Sequence, residues 1–309
     1  MSKKIKLSEC DIVYLSYDEP NKEKNYADLK KKFPWVKRVD GVHGSDSAHK
    51  ACARLAESSR LTIIDGDNIV KPELLNLEIE LVDHANLDIC VLSFPAQNVI
   101  NGLVYGNGSI KNWPTQLVLD MKTHENAEPT NDRTQVDFCW EIKYLQMKTW
   151  MSWVINNASP RQAWRAGFRE GVKMCLLEGS KPSLDKPFNQ QVHWKNYQRL
   201  VTWMNVGSDV ENGLWAIYGA RLGCHMTMLS DWDYTNVRTF TYLNNLFDEI
   251  VPKKEKQLKT EISRLGKDLR DELEILTGPS YMDPDQSKFF KVLYTNPPRM
   301  NNDWVINNV

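Results

Sequence analysis

No CxxC pair links any of the six cysteines (Cys10, Cys52, Cys90, Cys139, Cys175 and Cys224). Scattered through a chain this long, they predict buried free thiols and a reducing, cytoplasmic setting. No apolar run approaches the ~18 residues that would cross a bilayer, so a membrane-spanning helix is not expected. The opening stretch MSKKIKLSECDIVYLS is basic, yet it runs into a strand without a small-residue cleavage site, and no signal peptide is expected. Charge of one sign is also missing: the net charge is −1. Nothing draws the whole molecule to nucleic acid or acidic lipid, although a local basic patch can exist. Internal repeats and low-complexity tracts are absent.

What is present is a chain of 309 residues, 41% hydrophobic and 26% charged, which is enough for a sizeable core and too apolar for global disorder. DIVYLS (11–16), WVKRVDG (35–41), LTIID (61–65) and LDICVLSF (87–94) are short apolar runs with polar flanks, and read as strands. Between them, 21–33 and 45–59 carry helical spacing, the second capped by Ser45 or Ser47. KPELLNLEIELVDHA (71–85) reads as a third helix with Pro72 in its first turn. Alternating strands and helices predict an α/β fold: a mixed, mainly parallel sheet covered on both faces, with its strand ends on one edge. Such sheets bind ligands beyond their carboxyl ends.

From 96 to 250 the pattern is rich in Trp, Gly and Asn. Residues 159–179 read as a helix starting at Ser159-Pro160, with Gly167 and Gly171 allowing close packing. Leu258, Ile262, Leu265, Leu269, Leu273 and Leu276 recur every three or four residues, which predicts one long amphipathic helix over 253–276, ended by Gly278-Pro279. Its stripe suits packing on the domain or a homodimer seam. The organisation expected is therefore 1–250 as one domain, split into a nucleotide-binding half (1–95) and an acceptor-binding half (96–250), followed by a helix and arm (251–309).

The third strand ends in Asp65-Gly66-Asp67-Asn68. Two carboxylates this close repel unless a cation neutralises them. Hard oxygen ligands suit Mg²⁺ or Mn²⁺, which bind one or two carboxylates together with substrate phosphates. A plain strand-to-helix turn uses the same residue types.

SYDEP (16–20), then GSDSAHKACARLAE, then LTIIDGDN follow one another in an order that resembles GT-A glycosyltransferases of the family-two pattern. The resemblance covers about the first 95 residues, with Ala48-His49-Lys50 standing where the family has Ala-Arg-Asn. It implies a GT-A, Rossmann-like fold. By the same resemblance Ser16, Tyr17, Asp18 and Glu19 hold base and ribose, and His49 or Lys50 faces the phosphates. Asp65 then touches ribose or metal, and Asp67 ligates the metal under the diphosphate. The family completes its metal site with a histidine, for which His225 is the first candidate and His193 the second. Glu-Asp at the start of a helix supplies the family's base, but Arg161-Gln162 stands there in this chain. Asp137, Glu141 and Asp209 remain as candidate bases, and a retaining mechanism without one stays open.

Longer stretches, YGNGSIKNWP, SPRQAWRAGFREGVK and NGLWAIYGARLG among them, resemble phage-encoded glycosyltransferases. Some of these decorate hydroxymethylated pyrimidines in phage DNA, including 5-hydroxymethylcytosine arabinosyltransferases that use UDP-arabinose. That implies a UDP-sugar donor and double-stranded DNA as acceptor. Trp113, Arg161 and Arg165 are the candidate acceptor contacts, while KNYADLKKKF and the Arg161–Lys173 stretch are the candidate basic faces. Most tryptophans of the middle region read as core. Two other functions compete. A nucleotidyltransferase shares the strand-end acids but usually carries a glycine-rich loop that SYDEPN lacks, and a phage assembly protein would use only the long helix.

Overall fold

The computed structural model describes residues 3–137, 142–252, 254–294 and 303–306, with the backbone alone at 107–109. The first half runs β1 (Lys3–Lys6), β2 (Asp11–Ser16), α1 (Lys22–Lys32), β3 (Lys37–Asp40), α2 (Ser45–Leu55), β4 (Arg60–Asp65), β5 (Asn68–Val70), β6 (Glu78–Leu81), β7 (Cys90–Asn98) and β8 (Val104–Pro114). It continues through α3 (Thr115–Asp120), α4 (Asp132–Val136), β9 (Lys143–Gln146) and β10 (Ser152–Val154). Helices then take over: α5 (Pro160–Met174), α6 (Phe188–Gln191), α7 (Trp194–Asn205), α8 (Gly213–Leu229), α9 (Phe240–Ile250), α10 (Glu255–Leu273) and α11 (Pro284–Leu293).

Eight strands form one mixed sheet in the order β3-β2-β4-β8-β7-β10-β5, with β9 also on β7. β8 enters antiparallel between β4 and β7, so β2, β3, β4, β7 and β10 all point the same way. Alternation sorts the side chains. Ile12, Tyr14 and Ile64 face α1, whose Leu29 packs with them; Val13, Leu61 and Ile63 face α2 and α3, through Cys52, Ala53 and Val118. The α/β expectation, with a mixed sheet covered on both faces, matches this arrangement.

Residues 71–85 differ from the expected helix. Pro72–Asn76 make one 3₁₀ turn, and Glu78–Leu81 is strand β6, antiparallel to β1. The deciding feature is LEIEL: Ile79 and Leu81 are buried while Glu78 is exposed, a period of two that helix propensity concealed. The small sheet also receives the end of the chain, through a bridge from Leu81 to Val305.

The helical half has its own core, which includes Trp164, Phe168, Trp203 and Ile217. α5 and α8 approach through glycines on both sides. A Cβ on Gly167 or Gly171 would collide with the carbonyls of Ala216 and Ala220, and one on Gly219 or Gly223 with those of Trp164 and Phe168. Ser159 caps α5, its side chain accepting from the Gln162 N–H. The long helix forms over Glu255–Leu273, and Leu258, Ile262, Leu265, Leu269 and Leu273 are buried in this same core. Each contributes about 1.5–3 kcal/mol on burial. The stripe is therefore covered within its own chain and is not free as a dimer seam. The helix stops at Glu274 in the left-handed region (φ 54°), short of Gly278, and Leu276 lies beyond it, 70% exposed. The five described cysteines are free thiols; Cys139 lies outside the described residues.

Candidate functional site

The carboxyl ends of β2, β4, β7 and β10 meet at one edge, and loop contacts tie that edge together. Ile155 N–H donates to the Asp67 carbonyl at 2.7 Å, and Asn21 Nδ2 to the Ile155 carbonyl at 2.9 Å. Tyr14 Oη and Asn25 Nδ2 both donate to the Gly66 carbonyl, at 2.6 and 3.0 Å. These bonds fix the turn between the two aspartates. Gly66 supplies space as well as a bend: a Cβ there would lie 2.7 Å from Glu19 Oε2 and 3.0 Å from Ser16 Cβ. Only glycine lets the Glu19 carboxylate approach the Asp65–Asp67 turn.

Three acids thus gather at the strand end. Asp65 and Asp67 are half-buried. Burial pushes Asp67 up to about 8, with Asp65 and Glu19 repelling it further; Arg165 acts the other way. Burial likewise raises Asp65, opposed by Lys111 and His49. Glu19 is raised by burial and by Asp65 and Asp18, although its Oε2 accepts from the Tyr17 N–H at 2.8 Å. Asn68 Nδ2 donates to Asp67 Oδ1 at 2.8 Å. Desolvated and mutually repelling carboxylates favour a bound cation. Among the described residues, no group of three or more His, Cys, Asp or Glu side chains is arranged to hold a metal ion by itself. The donor set fits a divalent cation that takes one or two carboxylates here and the rest of its shell from ligand oxygens.

Of the remaining expected residues, several belong to this edge. Tyr17 is 46% exposed at the mouth, edge-on to His43 with ring centroids 6.4 Å apart. Asp18 accepts from Arg165 at 3.5 Å, so Arg165 of α5 reaches across to the strand ends. His49 lies beside Asp65, buried enough that its charged form is disfavoured.

The others are held by other partners. Ser16 is buried and donates its hydroxyl to Asp40 Oδ1 at 2.7 Å. Lys50 is held by Asp46 of its own helix at 2.7 Å. Trp113 is 1% exposed in the core under α2, so it is no acceptor contact; its alternation partner Leu61 faces the same way. Arg161 pairs with Asp248 at 2.7 Å and donates to the Asn244 carbonyl, which anchors α9. His225 sits between α8 and α10, 3.4 Å from Asp268, and its neighbours Arg264 and Glu261 also belong to α10, so it is not brought to the aspartates. His193 caps α7, its Nδ1 accepting from the Lys195 N–H. Asp137 is ion-paired with Lys173, and Asp209 with Lys291 at 2.5 Å. Glu141 lies outside the described residues. Three basic residues of α5, Arg161, Arg165 and Lys173, have acidic partners within the chain.

The cap of α2 also differs from expectation. Gly44 precedes the helix with φ 86°, and the orphan N–H groups of Asp46 and Ser47 are taken by the Glu125 carboxylate, 79 and 78 residues away in sequence, at 3.0 and 3.4 Å. Next to Glu125, His124 stacks on His49 with centroids 6.2 Å apart; burial, and the neighbouring His49, lower it to about 3. Sequence reasoning missed Lys111, His43, His124 and Glu125. None of them left a signal readable in the sequence, because each depends on partners far along the chain.

No family model matches the sequence, and no curated protein matches it. Among solved structures the chain is similar to the mannosyltransferase PcManGT from Pyrobaculum calidifontis, in complex with GDP-Man and Mn2+. The identity is 11%, over 85% of this chain and 88% of that one, with a TM-score of 0.35.

Proposed function

We propose that the protein is a metal-dependent glycosyltransferase, moving a sugar from a nucleoside-diphosphate donor to a hydroxyl acceptor. One observation carries the reading: Asp65 and Asp67, half-buried and repelling, stand with Glu19 where parallel strands end. A divalent cation supplies charge neutralisation for the leaving diphosphate. In this reading Asp67 holds the cation and Asp65 flanks it. Tyr17 offers its exposed face to the base, and Asp18 and Glu19 accept from base or ribose. Arg165, beside Asp18 and near enough to Asp67 to act on its charge, binds the diphosphate in this reading.

The donor UDP-arabinose and the acceptor 5-hydroxymethylcytosine in phage DNA are the finer part of the proposal, and they rest on the sequence resemblance. The exposed Lys24, Lys30 and Lys31 of α1 are the basic surface that such an acceptor would use. The test is a thermal-shift panel of UDP, GDP and their sugars with and without Mn²⁺, followed by nucleoside mass spectrometry of treated hydroxymethylated DNA. A Mn²⁺-dependent shift with a nucleotide sugar supports the reading. No shift with any nucleotide, with or without metal, sinks it.

A further inference from the structure

The β4–β8 register pairs Leu61 with Trp113 and Ile63 with Lys111. Two-residue alternation therefore puts Leu61, Ile63 and Asp65 on one face with Trp113 and Lys111. Along this face the chemistry changes. Leu61, Ile63 and Trp113 are buried under α2, whereas Asp65 and Lys111, one step nearer the carboxyl edge, are charged and half-buried. His49 leans from α2 onto the same face, edge-on to Trp113 at 6.2 Å.

Asp65 and Lys111 interact electrostatically but do not touch: among the described residues neither side chain makes a hydrogen bond or an ion pair within 4.0 Å. Diagonal positions across antiparallel strands lie about 7–8 Å apart, and here the two charged heads stop short of an ion pair and leave a gap between them. Two opposite charges taken partly out of water without closing on each other is a costly arrangement unless something else bridges them.

The tautomer of His49 narrows what that bridge is. Its Nδ1 lies 2.7 Å from the Ser45 carbonyl, which can only accept, so Nδ1 carries the hydrogen and Nε2 of the neutral ring is an acceptor. The corner thus offers two acceptors, Asp65 and His49 Nε2, and one donor, Lys111. A phosphate is all acceptor and would be repelled by two of the three. A hydroxyl donates and accepts at once, and neighbouring hydroxyls satisfy all three groups.

We propose that Lys111, with Asp65 and His49, binds the hydroxyl groups of the transferred sugar and so selects the donor sugar. This assignment rests on the nucleotide-sugar reading above. Lys111 acts here on the sugar and not on the diphosphate, which faces Asp67 and Arg165.

Isothermal titration in Mn²⁺ with UDP, GDP, UDP-glucose, UDP-N-acetylglucosamine, UDP-arabinose and GDP-mannose tests it on wild type, Lys111→Met and Lys111→Arg. The expected result is that wild type binds one nucleotide sugar more tightly than the matching free diphosphate. Lys111→Met then loses about tenfold or more of the sugar nucleotide's affinity, because buried acceptors are left facing an unread hydroxyl. It keeps the affinity for the free diphosphate within about twofold. Lys111→Arg retains a donor, and is expected to keep the fold and reorder the preference among sugars. Equal losses for the sugar nucleotide and the free diphosphate would overturn the assignment in favour of a phosphate contact. No loss for either, or a wild type that gains nothing from the sugar, would overturn it as well. A wild type that binds neither UDP nor GDP would instead remove the nucleotide-sugar reading itself, and Lys111's role with it.

Discussion

Arg221 in the helical half and Asp67 at the sheet edge are both charged groups removed from water, and their surroundings are opposite. Arg221 is fully buried, and its guanidinium donates to five acceptors: the carbonyls of Met204, Ile262, Gly278 and Ser280, and Asn205 Oδ1. Burial lowers it to about 10, still charged at neutral pH. Asp67 has one side-chain donor, Asn68, and two repelling carboxylates nearby. Buried charge with every valence filled holds elements together; here α7, α8, α10 and the 278–280 turn meet on one side chain. Buried charge left repelling is retained where a ligand completes it.

The comparison breaks first at Arg221. Arg221→Met removes a donor from carbonyls of three segments and should cost about 3–5 kcal/mol, read as a lower urea midpoint with unchanged slope. At the other pole, Asp67→Asn removes a repelled charge. Its urea midpoint should stay level or rise, while Mn²⁺-dependent nucleotide affinity falls about 100-fold, or ~2.7 kcal/mol, by titration calorimetry. If the two variants lose stability equally, the contrast between the regions is false.

His124 sharpens the comparison through pH. Its ordinary value is about 6.5 and its folded value about 3, so above 6.5 the ring is neutral in both states. As pH falls from 6.5 toward 3 the unfolded chain takes up a proton that the folded one refuses, and stability drops. His124→Asn, which tolerates the backbone φ of 44°, should lose on the order of 1 kcal/mol of that acid sensitivity, seen as a flatter stability curve between pH 6.5 and 4. The smallest effect is expected at Glu125. Glu125→Gln keeps the shape but weakens the remote cap of α2, by about 0.5–1 kcal/mol in thermal unfolding.

Regions whose pattern repeats locally were legible in the chain. β2, α1 and β4 fall where apolar runs and helical spacing put them, and the α10 stripe is buried as its period requires. The Asp65–Asp67 pair was legible for the same reason: it ends a strand. Residues whose role depends on distant partners were not. Trp113 read as an acceptor contact, yet it is buried in the core with residues of α2 and β4. Ser45 and Ser47 read as caps, but Glu125 arrives from a loop that nothing near α2 announces. Lys111 required the β4–β8 register, and no stretch of sequence states which strand lies beside which.

β6 is bordered by β1 on one side and bridged from Leu81 to Val305 on the other, with Val82 N–H donating to the Trp304 carbonyl and Ile306 N–H to that of Glu80. During synthesis the ribosome releases residues 3–81 more than two hundred positions before 303–306 emerge. The flank of β6 must therefore wait, open to solvent, chaperones or another nascent chain, until the last segment arrives to seal it.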